Sequence, residues 1–483
     1  MSIADFIARF WQDITGWAVV LNVVITAGTL CWVLHIKRET MSAIAWSLTV
    51  LLIPLMGSFL FLVFGSQSIT RPIRRKQRQK STYRQLFGPR DGTSSTTVPE
   101  RWGMLAKLGH EEEGFPVTEG NAVTFFHEGH AAFDSMFEAI RSARDHVHIQ
   151  FFIYRSDDLG RRLMDALCEC ARRGVQVRFL YDSVGSYKLS SRLLRQLQDA
   201  GGQSAAFLPI LTPLYRFRVN LRNHRKILVV DGKVAFTGGL NVGLEYLGES
   251  PKFGYWRDTH FRIAGPAVMG LQRVLLEDWH FATNEAISGG RYYPHFDPLP
   301  GTARVQVVHS GPDMEYKAIR ETYFAGIIRA RKRVWIASPY FVPDAGLRDA
   351  LMLAARSGVE VRFLGLFRPD KWLPYLAARY YWAEVLTAGV KVYQYTKGMM
   401  HSKYVLVDGE WASVGTANMD NRSLLLNFEV NCQFFDPSLV QELEAQFLVD
   451  LETSVRIDPE VFDKRPLISR VAENASRLFS PIL

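Results

Sequence analysis

A pattern built on His, Lys and Asp, met twice, does most to restrict what this chain can fold into. His224-Arg225-Lys226-Ile227-Leu228-Val229-Val230-Asp231-Gly232 is followed by Gly238-Gly239-Leu240-Asn241, and His401-Ser402-Lys403-Tyr404-Val405-Leu406-Val407-Asp408-Gly409 is followed by Gly415-Thr416-Ala417-Asn418. Both copies read H-x-K-x4-D-x6-G-[GT]-x-N. A second stretch is also repeated: Ala171-Arg172-Arg173-Gly174-Val175-Gln176-Val177-Arg178-Phe179-Leu180 is nearly copied by Ala355-Arg356-Ser357-Gly358-Val359-Glu360-Val361-Arg362-Phe363-Leu364. The offset of roughly 180 residues lies far beyond solenoid periods and marks a duplicated domain. Two halves, two motifs and one shared site is the economical arrangement.

The text around the repeats alternates in period. A helical pattern over 131–143, an apolar strand over 146–154, a helix over 159–172 and a strand over 175–181 are followed in the second half by strands over 305–309 and 334–337, a helix over 316–331 and another ending near Arg356. Strands alternating with helices predict an α/β architecture. Within each motif, side chains two apart on a strand point the same way, so His and Lys can reach one ligand while the apolar run behind them is buried. Asp231-Gly232 and Asp408-Gly409 are tight-turn signals, and these aspartates are expected to secure the strand ends.

The two motifs resemble the paired HKD signatures of the phospholipase D superfamily, whose members cleave phosphodiesters. A phosphodiester is anionic and resists attack by water, so its catalyst must neutralise charge, supply a nucleophile and protonate the leaving oxygen. Paired histidines and lysines answer all three needs. Tyr255-Trp256-Arg257-Asp258-Thr259-His260, Asn418-Met419-Asp420-Asn421-Arg422-Ser423 and Leu426-Asn427-Phe428-Glu429 are similar to bacterial cardiolipin synthases, over nearly the whole chain.

The resemblance implies two pseudo-symmetric halves sharing one active site behind two transmembrane helices. It also implies a catalytic set of His224, Lys226, Asp231, His401, Lys403 and Asp408. In that scheme His224 is the nucleophile and His401 the general acid, the reverse assignment being the alternative. Lys226, Lys403, Asn241 and Asn418 hold the phosphate oxygens, and Asp258 and Glu429 orient the histidines. Thr237, Ser413, Thr416 and Ser423 are further hydroxyl donors. No metal or cofactor is expected, and the implied reaction joins two phosphatidylglycerols into cardiolipin with release of glycerol. Within the superfamily the alternatives are hydrolysis, as in a membrane-bound phospholipase or nuclease, and transfer from phosphatidylethanolamine.

Other features bear on compartment and partner. The net charge of 57 minus 48, or +9, favours an anionic partner, and the membrane segments select a lipid surface over nucleic acid. Cys31, Cys168, Cys170 and Cys432 form neither a disulfide framework nor a zinc pattern. His127-Glu128-Gly129-His130 has its histidines three apart rather than four, without an evident third ligand, and does not read as a metal site.

Residues 14–34 and 43–64 hold no charged side chain, and each is long enough to cross a bilayer as a helix. Trp17 and Trp46 are placed near the interfaces. The connector carries Lys37 and Arg38, against Arg9, Arg71, Arg74, Arg75, Lys76, Arg78 and Lys80 on the other side; seven against two puts both ends in the cytoplasm of a bacterial cell membrane. The expected division is a membrane anchor over 1–70, a basic and polar linker over 71–100, and halves over 101–300 and 301–483. Phe207 to Arg218, Trp372-Leu373-Pro374-Tyr375 and the stretch 468–483 mix apolar residues with Arg or aromatics, which fits lipid contact and core packing equally.

Overall fold

The computed structural model describes residues 3–37, 40–65, 71–87, 96–111, 114–209 and 221–483. Most of the 207–218 stretch, and Pro89, Gly92, Ser94 and Ser95 of the expected linker, lie outside the described residues. The chain separates into two compact units, Met1–Lys76 and Gln77–Leu483.

In the first unit the helix Ile3–Ile36 contains Gly16–Ile36, 21 residues of mean hydropathy 2.0, long and apolar enough to cross a membrane. The second expected span, 43–64, is not one helix. It runs as Thr40–Leu52, breaks at Ile53, resumes as Pro54–Leu60 and ends in the wider turn Phe61–Gly65. Proline has no N–H to give and disfavours helical backbone at the residue before it; Ile53 accordingly sits at φ −133°, ψ 69°. Among the described residues, one helix rather than two therefore has the length for a span. Phe61 packs against the edges of Trp32 and Trp46, at 5.9 and 5.4 Å between ring centroids, and Val33 and Val50 close this small core.

The expected linker also differs from its reading. Residues Arg71–Phe87 form a helix. Polarity alone does not prevent one, because Lys, Arg and Gln are good helix formers and Pro72 falls in the first turn, where its missing N–H costs nothing.

The second unit is organised on one sheet of 15 strands, and the duplication is visible in its order. In the first half His146–Phe151, Gln176–Asp182 and Gln203–Phe207 run parallel, with the helices Asp158–Arg172 and Ser191–Asp199 as crossovers. Arg333–Ala337, Glu360–Leu366 and Lys391–Tyr395 repeat the arrangement, with Ala345–Arg356 and Trp372–Thr387. The motif strands Ile227–Val230 and Tyr404–Val407 lie antiparallel against His146–Phe151 and Arg333–Ala337. Across the midline Thr118–Phe126 of one half pairs antiparallel with Ala303–Ser310 of the other, Thr118 opposite Val305. Phe125 fills this seam against Phe261 and Phe434, at 5.9 and 5.4 Å.

Candidate active site

Each motif histidine precedes its strand on a segment clamped to the opposite half. The His224 N–H donates to the Phe428 carbonyl at 2.9 Å, and the Phe428 N–H donates to Arg222 at 2.9 Å. The His401 N–H donates to the Arg257 carbonyl at 2.7 Å, where Gly398–Met400 pairs in parallel with Tyr255–Arg257. Phe428 and Arg257 are the residues just before Glu429 and Asp258, so each clamp delivers an acid to a histidine. His224 Nδ1 lies 2.9 Å from Glu429 Oε1, and His401 Nδ1 lies 2.6 Å from Asp258 Oδ2. The acid of each half thus serves the histidine of the other.

Strand alternation explains which side chains face inward. Asn223 and Arg225 turn to the buried Asp278, at 2.9 and 2.7 Å, leaving His224 and Lys226 together on the opposite face. Lys226 Nζ donates to the His224 carbonyl at 2.7 Å, and Lys403 makes the same bond to His401. The acids are held in turn. Glu429 accepts from Thr416 Oγ1 at 2.6 Å and Asn427 Nδ2 at 3.1 Å; Asp258 accepts from the Thr259 N–H at 2.8 Å and Trp256 Nε1 at 3.3 Å. A carboxylate on Nδ1 keeps the proton there and leaves the Nε2 lone pair facing the site. The glycines of the motif tails make room for this packing. A Cβ at Gly239 would lie 1.9 Å from Asp258 Oδ1, and one at Gly415 would lie 2.3 Å from the Val430 carbonyl.

Burial sets the charge state. It brings both imidazoles down to about 4, with Lys403 adding to the effect at each and the partner carboxylates opposing it. Burial likewise brings Lys226 to about 7 and Lys403 to about 8, against the pull of Glu429 and Asp258, which act on both lysines. Burial pushes Glu429 and Asp258 upward, but the histidines and lysines around them hold both below the ordinary carboxylate range. Four basic groups and two acids from both halves therefore share one electrostatic site.

A bound anion favours the charged lysines, whose unliganded values lie near neutrality, so its binding draws protons from solution. Vanadate binding, followed calorimetrically in buffers of different ionisation enthalpy, should show uptake of up to about one proton per anion at pH 7–8, fading below roughly pH 6 where the lysines are already charged. Absence of uptake at pH 7.5 would show that they are charged beforehand.

The two motif aspartates stand apart from this cluster. Asp231 accepts the N–H groups of Arg144, Asp145 and His146 at 2.9, 2.8 and 2.9 Å, and Asp408 those of Arg331, Lys332 and Arg333 at 2.8, 2.7 and 2.7 Å. Both sit at positive φ, 52° and 56°, in the turn that closes the motif strand. Each carboxylate pins the start of the neighbouring strand. Asp408→Asn should lose about 2–3 kcal/mol of stability, because three amides and Arg101 share its charge. A chemical denaturation curve checks this, and activity per folded molecule should stay close to that of the parent.

Asn241 is engaged, donating to the Tyr246 hydroxyl at 3.1 Å and accepting from the Ile153 N–H at 3.1 Å. Asn418 acts on the buried Asp420, helping to hold down a carboxyl that burial pushes up. Of the hydroxyls, Thr416 supports Glu429, whereas Thr237 bonds the Lys226 carbonyl at 2.7 Å. Three aromatic neighbours were not evident as site residues from the sequence. Phe152 lies 4.9 Å from the His224 ring, Trp256 lies 5.1 Å from His401, and Tyr246 lies 6.2 Å from His401. Trp256 opens the Trp256-Arg257-Asp258 string that points to Asp258, and that membership is the available signal.

The family model described as cardiolipin synthase, PLD-like domain, matches residues 136–249 and 323–451, one match on each half. The chain is 42% identical over 451 residues to a cardiolipin synthase of Geobacillus sp. (strain WCH70), covering 92% of this chain and 90% of that protein. The chain belongs to the cardiolipin synthase family. It is also 40% identical to a cardiolipin synthase of Listeria monocytogenes serotype 4a, over 96% of this chain and 98% of the relative. Among solved structures, a phosphatidylserine synthase of Haemophilus influenzae Rd KW20 superposes with a TM-score of 0.58 at 16% identity, covering 75% of this chain and 95% of that one, a likeness of fold. Family membership makes this a phosphatidyltransferase of the phospholipase D superfamily.

Proposed function

We propose that the chain transfers a phosphatidyl group from one phosphatidylglycerol to a hydroxyl of a second, giving cardiolipin and glycerol. The observation that carries this reading is the crossed pairing of His224 with Glu429 and His401 with Asp258. His224 Nε2 attacks phosphorus as the bond to the glycerol oxygen breaks, and His401, protonated on both ring nitrogens once the anionic substrate is bound, gives that oxygen its Nε2 proton. The acceptor hydroxyl then attacks the phosphatidyl-histidine, passing its proton to His401 as the P–N bond breaks. Lys226 and Lys403 neutralise the non-bridging oxygens, with the Asn241 and Asn418 amides beside them. One phosphodiester replaces another, so the exchange needs no nucleotide.

The substrate lies in a bilayer, and the apolar helix Gly16–Ile36 fits an anchor there. In this reading the segment Thr40–Gly65 returns alongside it despite the kink at Pro54, since broken helices are tolerated where neighbours satisfy the backbone. The anchor is then a hairpin with both ends, and the catalytic unit, on the cytoplasmic side of the cell membrane.

Full-length protein in detergent with headgroup-labelled and acyl-labelled phosphatidylglycerol tests the reaction. Cardiolipin with released glycerol is expected, and quenching in mildly alkaline denaturant, in which the P–N bond survives, should trap labelled lipid on His224. Phosphatidic acid as the sole product would mean that water is the acceptor and would sink the transfer reading. Adding labelled phosphatidylethanolamine shows whether it replaces either substrate.

A further inference from the structure

The helix Leu467–Arg477 is folded inside out. Its one acidic side chain, Glu473, is 1% exposed and is bound by Arg379 Nε at 2.7 Å and Arg465 Nε at 2.8 Å. Ser476 is buried on the same face, and Ser480 beyond the helix accepts from the Tyr381 hydroxyl at 2.9 Å. The opposite face carries Leu467, Ile468 and Val471, at 74, 79 and 58% exposure, and continues through Leu478 and Phe479 at 72 and 47%. These positions lie three, four or seven residues apart, one or two helical turns, and form a single stripe. A helix shaped only by water would expose the carboxylate and bury the leucines. Here the fold supplies two arginines to keep the carboxylate in, and the apolar stripe faces outward.

Charge and position say what the stripe meets. Arg470 is exposed beside it, and Arg477 lies over the Tyr380 ring at 4.4 Å; the helix presents no acidic side chain outward. An apolar stripe bordered by arginines matches an anionic lipid surface, with side chains among the upper acyl carbons and guanidinium groups at the phosphates. The residues after the helix are fastened beside the catalytic cluster. Asn421 Nδ2 donates to the Ser480 carbonyl at 3.1 Å, and the Arg422 N–H donates to the Leu483 carbonyl at 2.7 Å. Asn421 and Arg422 belong to the turn between Asn418 of the second motif and Glu429. The stripe is therefore tied to the segment that joins the second motif to Glu429.

We propose that Leu467, Ile468, Val471, Leu478 and Phe479 form a membrane-docking face that lies on an anionic bilayer and holds the catalytic unit against it, next to the point where lipid phosphates enter. The choice of occupant rests on the lipid-substrate reading above. The helix is an attachment separate from the N-terminal anchor, and its function is to present substrate.

The test uses the full chain with the exposed Cys31 changed to Ser, the other three cysteines being buried. A polarity-sensitive fluorophore is placed at Val471→Cys or, for comparison, at Gln198→Cys, which is exposed in the first half. The protein is reconstituted in vesicles of phosphatidylcholine and phosphatidylglycerol. Lipids brominated near the headgroup should quench the Val471 label about twofold or more and leave the Gln198 label nearly unchanged. Equal quenching at both positions, or none at Val471, overturns the proposal. Disulfide formation in a separate unlabelled Val471→Cys sample, with no quenching of the labelled one, also overturns it, because a second copy would then cover the stripe.

A kinetic arm removes the stripe with Leu467→Asp, Val471→Asp and Leu478→Asp together. KM for phosphatidylglycerol in vesicles should rise about tenfold, while kcat on a dispersed short-chain phosphatidylglycerol stays the same. Loss on both substrates would reveal a merely structural helix and count against docking. If the parent protein makes no cardiolipin from either presentation, the reaction reading fails, while the quenching result still decides whether the helix lies in lipid.

Discussion

His224→Ala should form no covalent intermediate with any substrate, whereas His401→Ala should still form one when the leaving group needs no proton. With phosphatidylglycerol both variants lose cardiolipin formation, His401→Ala by about 10²–10⁴-fold, the usual worth of a positioned acid or base. A phosphatidyl ester of p-nitrophenol separates them. In His401→Ala it should release a burst of about one nitrophenolate per protein and then stall, because the acceptor hydroxyl has lost its base. In His224→Ala there should be no burst. Rapid mixing with absorbance detection, followed by mapping of the trapped lipid adduct, reads both outcomes. A burst in His224→Ala and none in His401→Ala would exchange their roles while keeping the two-step scheme.

The orienting acids give the second large effect, and its pattern is specific to the crossed geometry. Glu429→Gln and Asp258→Asn should each lower turnover by about 10²–10⁴-fold, since an amide on Nδ1 neither selects the His224 tautomer that leaves Nε2 free nor stabilises the charged His401 ring that donates the proton. The defects should nevertheless differ in kind. Glu429 supports His224, so Glu429→Gln should slow the nitrophenolate burst. Asp258 supports His401, so Asp258→Asn should leave the burst almost intact and impair the step that follows. If each acid served the histidine of its own half, the two signatures would be interchanged. Thermal unfolding of both variants is the control for their shared burial.

Much of this site was legible in the chain because strand geometry converts spacing into direction. H-x-K places two side chains on one face, and the Asp-Gly pair after the apolar run marks a turn; the structure bears out both, with His224 and Lys226 turned away from Asn223 and Arg225 and Asp231 and Asp408 binding backbone amides. The elements around them also fall where the periodicity put them: the strand read over 146–154 is His146–Phe151 and the helix read over 159–172 is Asp158–Arg172. Glu429 and Asp258 were visible as candidates, but not which histidine each would meet. That pairing is fixed by two short parallel contacts between segments far apart in the chain, and local sequence carries no signal for such contacts.

Two departures have simple origins. The uncharged run 43–64 satisfied a length criterion that counts hydropathy and ignores Pro54, which interrupts the helix. Within the stretch read as a basic and polar linker, Arg71–Phe87 is a helix, because its Lys, Arg and Gln residues are strong helix formers. The inverted helix at 467–477 stayed ambiguous for a different reason. Its pattern is amphipathic either way round, and only the positions of Arg379 and Arg465 decide which face turns in.

The midline ladder between Thr118–Phe126 and Ala303–Ser310 also limits how the enzyme can breathe. Many two-lobed enzymes admit substrate by swinging their lobes apart on a hinge, but here the seam between the lobes is hydrogen-bonded strand, packed with Phe125, Phe261 and Phe434. Gaping along that line would break the sheet and pull each imidazole off its carboxylate. Two bulky lipids must therefore arrive and depart in turn over a floor that stays rigid, with all traffic passing above it.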